Sequence, residues 1–332
     1  MCINNTLAKL TYLQGKYILM NTQFSSVNST DSFPFMVTVT ETMSLNKLKE
    51  YTKKLINEQL LQYGAILVRG CTELTITDFK ELSEHCTGES KNYDFASTPR
   101  SKVAKGIYTT TEYPPHMTIP LHNEQSYTNQ WADHLWLFCD VAATKGGETP
   151  LADSRLVYQK IPEDIRNRFI EKGIMYVRNY GGGLDLPWQE VFNTDDKSVV
   201  EQYCTDQNIE FEWKEDDELR TKQICQAITS HPVSGEKSWF NQAHLFHVSA
   251  LAEKVRTNLL SIIEESELPR NAYYGDGSPI KSSDLDIIRA VYDEVEVSSP
   301  WQKGDFVIVD NILAAHGRKS FEGERKVYVV MT

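Results

Sequence analysis

The sequence lacks the features that would carry the chain into or across a membrane. It has no uninterrupted apolar run of about 18 residues, the length at which a helix spans a bilayer. The apolar patch at residues 17–20 is short, and no small-residue cleavage site follows it. The six cysteines are scattered and form no CxxC pair, which is typical of reduced thiols and excludes a zinc ribbon or a disulfide framework. We therefore expect a cytoplasmic protein with no membrane partner.

Positive charge is also scarce. Lysine and arginine total 34 against 46 acidic residues, for a formal net charge of −12. An acidic chain repels phosphate backbones, so no nucleic acid is expected as a partner. The chain has 332 residues, of which 40% are hydrophobic, and this is enough for a sizeable core in one large domain or two ordinary ones.

The order of predicted elements indicates a mainly β fold. Residues 1–35 are polar and rich in Asn, Ser and Thr, which predicts a loosely ordered lead-in to a single domain over residues 36–332. Strands are predicted towards both ends of that domain, whereas helical spacing dominates about residues 155–300 and includes "DELRTKQICQAI" at 217–228. This order excludes a regular βαβ array. It predicts an antiparallel barrel or sandwich that carries a helical insertion.

The segment "IPLHNEQSY" carries a histidine and a carboxylate two positions apart, His122 and Glu124. Side chains at i and i+2 of a strand point to the same face, so the two could meet at one metal ion. Taken alone, such a triplet fits a hydrogen-bonded surface pair better. His316 changes the balance, because it follows a predicted strand and an Asp-Asn turn in "VIVDNILAAHGR". Two histidines and one carboxylate form the facial triad that holds Fe(II) and leaves three coordination positions open.

Two further residues are candidates for binding an organic acid beside such a metal. Arg325 stands before the final predicted strand, in alternation with Val327, Val329 and Met331, so its guanidinium could enter the barrel above an apolar layer. The forked guanidinium matches a carboxylate with two parallel hydrogen bonds. Thr149, in "GGETPLADS", could add a hydroxyl to the same carboxylate.

The phrases around these residues resemble the taurine dioxygenase-like (TauD/TfdA) branch of the Fe(II)/2-oxoglutarate oxygenases. Within that branch the chain is most similar to the SyrP-like group, first associated with syringomycin biosynthesis. The matching phrases cover roughly residues 60–332 and are "YGAILVRG", "STPRSKV", "YTTTEYPP", "IPLHNEQSY", "GGETPLADSR", "HPVSGEKSWFNQAHLFH", "RNAYYGDGSPI", "WQKGDFVIVDNILAAHGR" and "FEGERKVYVVM".

The resemblance implies a fold and a set of site residues. The fold is a double-stranded β-helix, a jelly roll of the clavaminate synthase-like kind. His122, Glu124 and His316 would bind iron, and Thr149 and Arg325 would bind 2-oxoglutarate. Many relatives have Asp where this chain has Glu124. Glutamate there matches amino-acid oxygenases of this type and argues against the halogenases, which lack the carboxylate.

The resemblance also implies a reaction. Fe(II), 2-oxoglutarate and O₂ would oxidise an unactivated C–H bond of an amino acid or amino-acid derivative in antibiotic or other specialised-metabolite biosynthesis. The substrate would be free or tethered to a peptidyl-carrier protein. Hydroxylation is expected, and epoxidation and desaturation remain open because the same chemistry starts all three.

The roles of some polar residues are less determined by the sequence. Arg318 is either a clamp for the substrate carboxylate or a solvated charge, and Asn241 and Gln242 are candidates for substrate contact. His244 and His247 could suggest a second metal pair, but we interpret them as structural.

Two functions of other classes use the same residues. A zinc hydrolase accepts a His₂Glu ligand set, but hydrolysis explains neither Arg325 nor Thr149. A catalytically inactive binding barrel predicts a broken triad, whereas this one is intact. The glycines of "NYGGGLDLPW" lack the Lys-Ser/Thr of a phosphate loop, which favours a mobile lid there.

Overall fold

The computed structural model describes residues 22–26, 33–91, 102–110, 113–181 and 186–332. Most of the predicted lead-in lies outside the described residues, as do residues 182–185 of the predicted lid, which include two of its three glycines. Residues 22–26 of the lead-in form a strand that pairs with the next one. Among the described residues, no helix is long and apolar enough to span a bilayer.

The largest element is a sheet of eight strands, antiparallel except at one pair. Its spatial order is β1 (Thr22–Ser26), β2 (Phe35–Val39), β3 (Ala65–Arg69), β16 (Phe306–Asp310), β7 (His134–Val141), β19 (Lys326–Met331), β5 (Ile107–Thr109) and β4 (Lys102–Ala104). In the middle of this order, β16 and β19 from the C-terminal part of the domain lie between strands from its N-terminal part. The sheet therefore forms only when the two ends of the domain come together. The one parallel pair is β2 with β3.

A sheet of three strands faces the large one and carries most of the candidate site. Its order is β6 (Ile119–His122), β17 (Ala314–Arg318) and β9 (Leu151–Asp153). Leu135 and Leu137 of β7 pack with Val329 of β19, Leu151 and Ala314 in one buried cluster, so the two sheets share a core. This arrangement, with the two-stranded pair of β8 (Lys145–Gly146) and β18 (Phe321–Glu322), confirms the predicted jelly roll.

The outer face of the large sheet is covered by helices. The alternate residues of β7, Trp136 and Phe138, pack there against Phe79 and Leu82. The helices are α1 (Leu45–Leu55), which continues through a π-helical turn (Ile56–Leu60) into α2 (Leu61–Tyr63), and α3 (Ile76–Thr87). Successive residues of β7 therefore enter two different cores, one on each face of the sheet. Each fully buried apolar side chain contributes about 1.5–3 kcal/mol to the free energy of folding, so the strand stabilises both faces.

The termini of these helices agree with the sequence. Gly64 ends the first helical run at φ +72°, a backbone conformation that suits glycine. Thr75 begins α3 with a capping box, in which its side chain accepts from Asp78 N and the Asp78 carboxylate accepts from Thr75 N. Ser44 is the N-cap residue of α1 but makes no side-chain capping bond.

The insertion is not purely helical. It contains its own antiparallel sheet in the order β11 (Glu210–Trp213), β12 (Leu219–Cys225), β10 (Ile174–Tyr180) and β15 (Arg270–Tyr274), and the hairpin of β13 (Ile228–Ser230) and β14 (Lys237–Trp239). Its helices are α4 (Ser154–Lys160), α5 (Glu163–Lys172), α6 (Trp188–Phe192), α7 (Lys197–Asp206), α8 (Ala243–Phe246), α9 (Glu253–Leu260) and α10 (Ser282–Val295).

The helix predicted over residues 217–228 is wrong, because this segment forms β12. Its buried positions alternate at Leu219, Thr221, Gln223 and Cys225. Two of these four are polar, so the strand has no apolar alternation that the sequence could show. Packing against β10 and β11 decides its conformation.

Candidate metal centre

Three candidate ligands converge where β6 and β17 run side by side. His122 ends β6, Glu124 lies in the turn that follows, and His316 stands opposite His122 in the antiparallel register. The two imidazole centroids are 4.6 Å apart, and His316 Nε2 lies 3.6 Å from Glu124 Oε2. One ligand atom from each residue falls within 4.8 Å of the others. In the described part of the chain this is the one such group of three His, Cys, Asp or Glu residues.

The tautomer of His122 suits metal binding. Its Nδ1 lies 2.8 Å from the carbonyl oxygen of Pro120, which can only accept a hydrogen bond. The proton is therefore on Nδ1, and the lone pair remains on Nε2. A hydrogen bond from the ring nitrogen that does not bind the metal orients a ligating imidazole.

A buried amide network fixes the turn that carries Glu124. Asn311, in the turn before β17, accepts from Glu124 N through Oδ1 at 2.7 Å and donates to Glu124 O at 2.9 Å. It also donates to Ala132 O at 2.8 Å. Asn123 donates to Ser154 Oγ at 3.0 Å and to Asn311 O at 2.6 Å. The two ligand-bearing segments are thereby joined through fully buried amides.

Arg325 reaches the same region from the other sheet. It donates from Nε to Gly147 O at 2.8 Å, from Nη1 to Thr110 Oγ1 at 3.2 Å and from Nη2 to Thr149 Oγ1 at 3.5 Å. Burial and the nearby charge of Arg318 lower its pKa from 12.5 to about 10. Within the described residues no carboxylate forms an ion pair with Arg325. A buried cation without a counter-ion is costly, so this guanidinium is arranged for an anionic ligand.

Close packing around Arg325 explains the glycine pair that precedes Thr149. A Cβ on Gly147 would lie 3.0 Å from Arg325 Cδ and 3.1 Å from Phe321 Cβ. Gly147 also has φ +76°, which L side chains rarely adopt. Glycine is therefore required where the backbone passes the guanidinium.

One pocket joins the two histidines of the triad to the guanidinium. About 420 Å³ of space not occupied by atoms lies in it, and this volume includes its opening to solvent. Its polar lining comes from His122, His316, Thr149, Arg318 and Arg325, with Thr110, and its apolar lining includes Ile119, Leu135, Leu137 and Val329. The donor set fits a ferrous ion, and the guanidinium across the pocket fits the far carboxylate of a dicarboxylic acid.

Arg318 is not a solvated charge, since only 5% of it is exposed. It donates to three backbone carbonyls, of Tyr113 and Pro114 at 2.8 Å each and of Met117 at 2.7 Å. Its Nε is buried without a partner. Arg318 therefore holds the 113–117 loop that leads into β6, and it also belongs to the lining of the pocket.

Asn241 and Gln242 do not line this pocket. The Asn241 side chain donates to Ala227 O at 2.8 Å and accepts from Ala243 N at 3.1 Å. Gln242 donates to Asn123 O at 2.9 Å, next to the metal ligands. Both amides have backbone partners, and their contact with a substrate stays a prediction.

His244 and His247 do not form a second metal site among the described residues. His244 Nε2 lies 3.0 Å from Leu121 O, and burial lowers the pKa of His244 from 6.5 to about 3, so the ring is neutral and donates from Nε2. Burial also lowers the pKa of His247, whose Nδ1 accepts from Ser249 N at 3.1 Å. The structural interpretation of both histidines agrees with these contacts.

The sequence assigned no role to Trp301, which donates from Nε1 to Thr149 Oγ1 at 3.1 Å. Trp301 is the first residue of "WQKGDFVIVDNILAAHGR", one of the phrases that carry the family resemblance. Its place in that phrase was the feature of the sequence that could have indicated a role at the site. Asn123 and Asn311 were missed for another reason. Their role depends on hydrogen bonds between segments almost 190 residues apart in the chain, which the sequence does not show.

Comparison with known proteins gives one consistent result. A family model described as "Taurine catabolism dioxygenase TauD, TfdA family" matches residues 30–331. The dapdiamide synthesis protein DdaC of Enterobacter agglomerans is 44% identical over 276 residues, covering 83% of this chain and 84% of DdaC.

Solved structures share the fold at low identity. AAD-2 in complex with Mn(II) and N-oxalylglycine superposes with a TM-score of 0.53 at 13% identity, covering 94% of this chain and 97% of AAD-2. PvcB, described as an Fe, alpha-ketoglutarate dependent oxygenase from an isonitrile synthetic pathway, gives a TM-score of 0.54 at 13% identity, covering 97% of this chain and 95% of PvcB.

Proposed function

The chain belongs to the TauD/TfdA family of dioxygenases, and on that premise we propose that it hydroxylates an amino acid or amino-acid derivative at an unactivated C–H bond. Its cofactor is Fe(II), with 2-oxoglutarate and O₂ as co-substrates. In the proposal His122, Glu124 and His316 bind the iron, and Thr149 and Arg325 bind 2-oxoglutarate. The observation that carries it is the pocket that the two metal-binding histidines share with a buried guanidinium that has no carboxylate partner.

When bound, iron(II) would supply the redox chemistry by which O₂ converts 2-oxoglutarate to succinate and CO₂ and its second oxygen atom enters a C–H bond. The side chains of the protein supply geometry. His122, Glu124 and His316 would hold the metal with three protein ligands, a set that would leave positions for the co-substrate and O₂.

Arg325 and Thr149 hold the far carboxylate of 2-oxoglutarate and so set how far the oxo acid reaches towards the triad. Leu135, Leu137 and Val329 line the space between, and their apolar side chains exclude water from it. A dry pocket strengthens the guanidinium–carboxylate pair and protects the oxidising site from side reactions.

The substrate class is supported by two features. Glutamate at position 124 matches the amino-acid oxygenases of this branch, and the relative DdaC carries a name from dapdiamide synthesis. Arg318 is the candidate for the substrate carboxylate, because this cation lines the pocket that the two histidines share. Membership of the SyrP-like group, and with it a substrate tethered to a peptidyl-carrier protein, is the finer form of the proposal.

The test is product analysis under O₂. Purified protein with Fe(II) and 2-oxoglutarate is incubated with free amino acids and with the same amino acids loaded on a carrier protein, and substrate mass and succinate are measured. We expect succinate in step with a product heavier by one oxygen atom. A product lighter by two hydrogens would indicate desaturation, and turnover of free substrate alone would remove the carrier partner.

A binding control separates this function from the zinc hydrolase. Anaerobic addition of Fe(II) and 2-oxoglutarate should produce a weak visible charge-transfer band, and His316→Ala should abolish it. Hydrolysis that depends on zinc, with no such band in the wild type, would contradict the proposal.

A further inference from the structure

The strand that leads to the metal ligands is an edge strand. In the three-stranded sheet β17 lies in the middle, so β6 has a neighbour on one side only. An edge strand leaves alternate backbone carbonyls without a ladder partner, and such groups are costly when buried. Leu121 and Asn123, which flank His122, are 4% and 0% exposed.

Two side chains of the insertion donate to this segment, one at Leu121 on the open edge of β6 and one at Asn123 in the turn that follows. His244 Nε2 lies 3.0 Å from Leu121 O, and Gln242 Nε2 lies 2.9 Å from Asn123 O. Both donors lie within or next to α8 and are almost fully buried. The carbonyls on either side of His122 are therefore held by one short element that belongs to the insertion.

That element is itself held at both ends. Arg289 of α10 donates to His244 O from Nε at 3.1 Å and from Nη2 at 2.9 Å. The His244 ring stacks on Tyr292 with centroids 4.7 Å apart. At the other end, Gln242 N donates to the Tyr176 hydroxyl of β10 at 2.7 Å. The path from the insertion to the ligand strand thus consists of direct hydrogen bonds and ring packing.

We propose that Gln242 and His244 are positioning residues that hold the end of β6 bearing His122 and the turn bearing Glu124, and that the affinity of the metal site depends on them. This inference rests on the proposed function only in taking the triad as the metal site. It gives the insertion a role at the metal site, because its packing sets the geometry of the ligands. It also gives Gln242 a role that needs no contact with substrate.

The two bonds are not equivalent. Asn123 O also accepts from Ser126 Oγ at 2.9 Å, so it keeps a partner when Gln242 is lost. For Leu121 O, His244 is the side-chain donor, and its loss leaves a buried carbonyl unpaired unless the strand moves. We therefore expect a larger effect from His244 than from Gln242.

The experiment is a Co(II) titration followed by visible absorption, with no substrate present. His244→Phe keeps a ring against Tyr292 and removes the donor, and Gln242→Leu removes the other donor at similar volume. Gln223→Leu is the matched control, since Gln223 is also 5% exposed and donates to a backbone carbonyl, Gln207 O at 3.0 Å, within the insertion. Outer-shell partners of metal ligands change affinity by about 10–100-fold, so we expect His244→Phe towards the upper end of that range and Gln242→Leu near the lower end. The control should stay within about twofold of the wild type.

A rescue variant distinguishes positioning from general loss of packing. His244→Gln keeps an N–H donor of similar reach and should recover most of the affinity and the wild-type Co(II) band. If His244→Phe does not fold, Gln242→Leu against Gln223→Leu still decides the question. Co(II) affinity and bands of Gln242→Leu that equal those of Gln223→Leu would overturn the inference and leave the proposed function intact. Failure of the wild type itself to bind Co(II) would overturn both.

Discussion

Trp301 donates its indole N–H to Oγ1 of Thr149, with 3.1 Å between the two atoms. Arg325 Nη2 approaches the same oxygen at 3.5 Å. The two bonds occupy both lone pairs of the hydroxyl oxygen, so the hydroxyl proton is left to donate to another acceptor. An anion bound by Arg325 would be in place to accept that hydrogen bond. Trp301 therefore prepares Thr149 to act as a donor.

Trp301→Phe should weaken 2-oxoglutarate binding and spare the chemical step. A neutral hydrogen bond contributes about 1 kcal/mol, so we expect KM for 2-oxoglutarate to rise about fivefold with kcat nearly unchanged. Trp188→Phe is the control, because Trp188 is also buried and donates from Nε1 to a backbone carbonyl, Asp217 O at 2.9 Å, away from the pocket. Equal KM values in the two variants would show that the Trp301 bond is only structural.

Arg325→Met should abolish 2-oxoglutarate binding without lowering the Tm of the ligand-free protein. The charge of Arg325 is largely buried and forms no ion pair with a carboxylate of the described residues, so a neutral side chain relieves its desolvation cost. Thermal unfolding with Mn(II), with and without 2-oxoglutarate, measures both effects. At 100 times Kd the co-substrate should stabilise the wild type by about 2.7 kcal/mol and this variant not at all.

Arg325→Lys should fall between the wild type and Arg325→Met. Lysine keeps the charge and loses the forked pair of donors, so we expect affinity for 2-oxoglutarate to fall about tenfold or more. Wild-type affinity in Arg325→Lys would mean that the carboxylate is bound elsewhere.

Asn311→Ala should lower both stability and metal affinity. It removes three buried hydrogen bonds around Glu124, and we expect the free energy of unfolding to fall by about 2–4 kcal/mol. Asn179→Ala is the control, because Asn179 bonds Ser266 O, Leu268 O and Arg220 Nε within the insertion. Urea unfolding should show losses in both variants, whereas Co(II) titration should show weaker binding in Asn311→Ala alone.

The metal-free protein should lose stability as the pH falls below about 6.5. Burial lowers the pKa of His134, His244 and His247 from 6.5, so the unfolded chain binds protons that the folded chain does not. Each such histidine makes the free energy of unfolding fall by up to about 1.4 kcal/mol per pH unit between 6.5 and its folded pKa, which for His244 is about 3.

Urea unfolding between pH 6.5 and 5.5 measures this dependence before most carboxylates titrate. His244→Gln should reduce the slope of the free energy of unfolding against pH by the contribution of one histidine, up to about 1.4 kcal/mol per pH unit. Substitution of the exposed His116 serves as the comparison. A flat profile in the wild type would show that the buried histidines do not titrate differently in the two states.

Much of the fold follows from local patterns. The continuous apolar run of β7, the leucine spacing of α1 and the Thr75–Asp78 capping box each involve residues that are close together in the chain, so their residue types specify them. The π-helical turn at Ile56–Leu60 and the strand β12 are not specified in this way. For β12, two polar residues face inward, and only the neighbouring strands make that strand favourable.

For the site, the sequence alone determined which side chains have the right chemistry, because His122 and Glu124 are two residues apart and covalent geometry keeps them together. The resemblance around His316, Thr149 and Arg325 extended that set across the chain. Only the tertiary structure decided the partners of Gln242, Arg318 and Trp301. Each of these side chains could donate a hydrogen bond to many different carbonyl or hydroxyl oxygens. Which oxygen accepts the bond depends on how segments more than a hundred residues apart pack together.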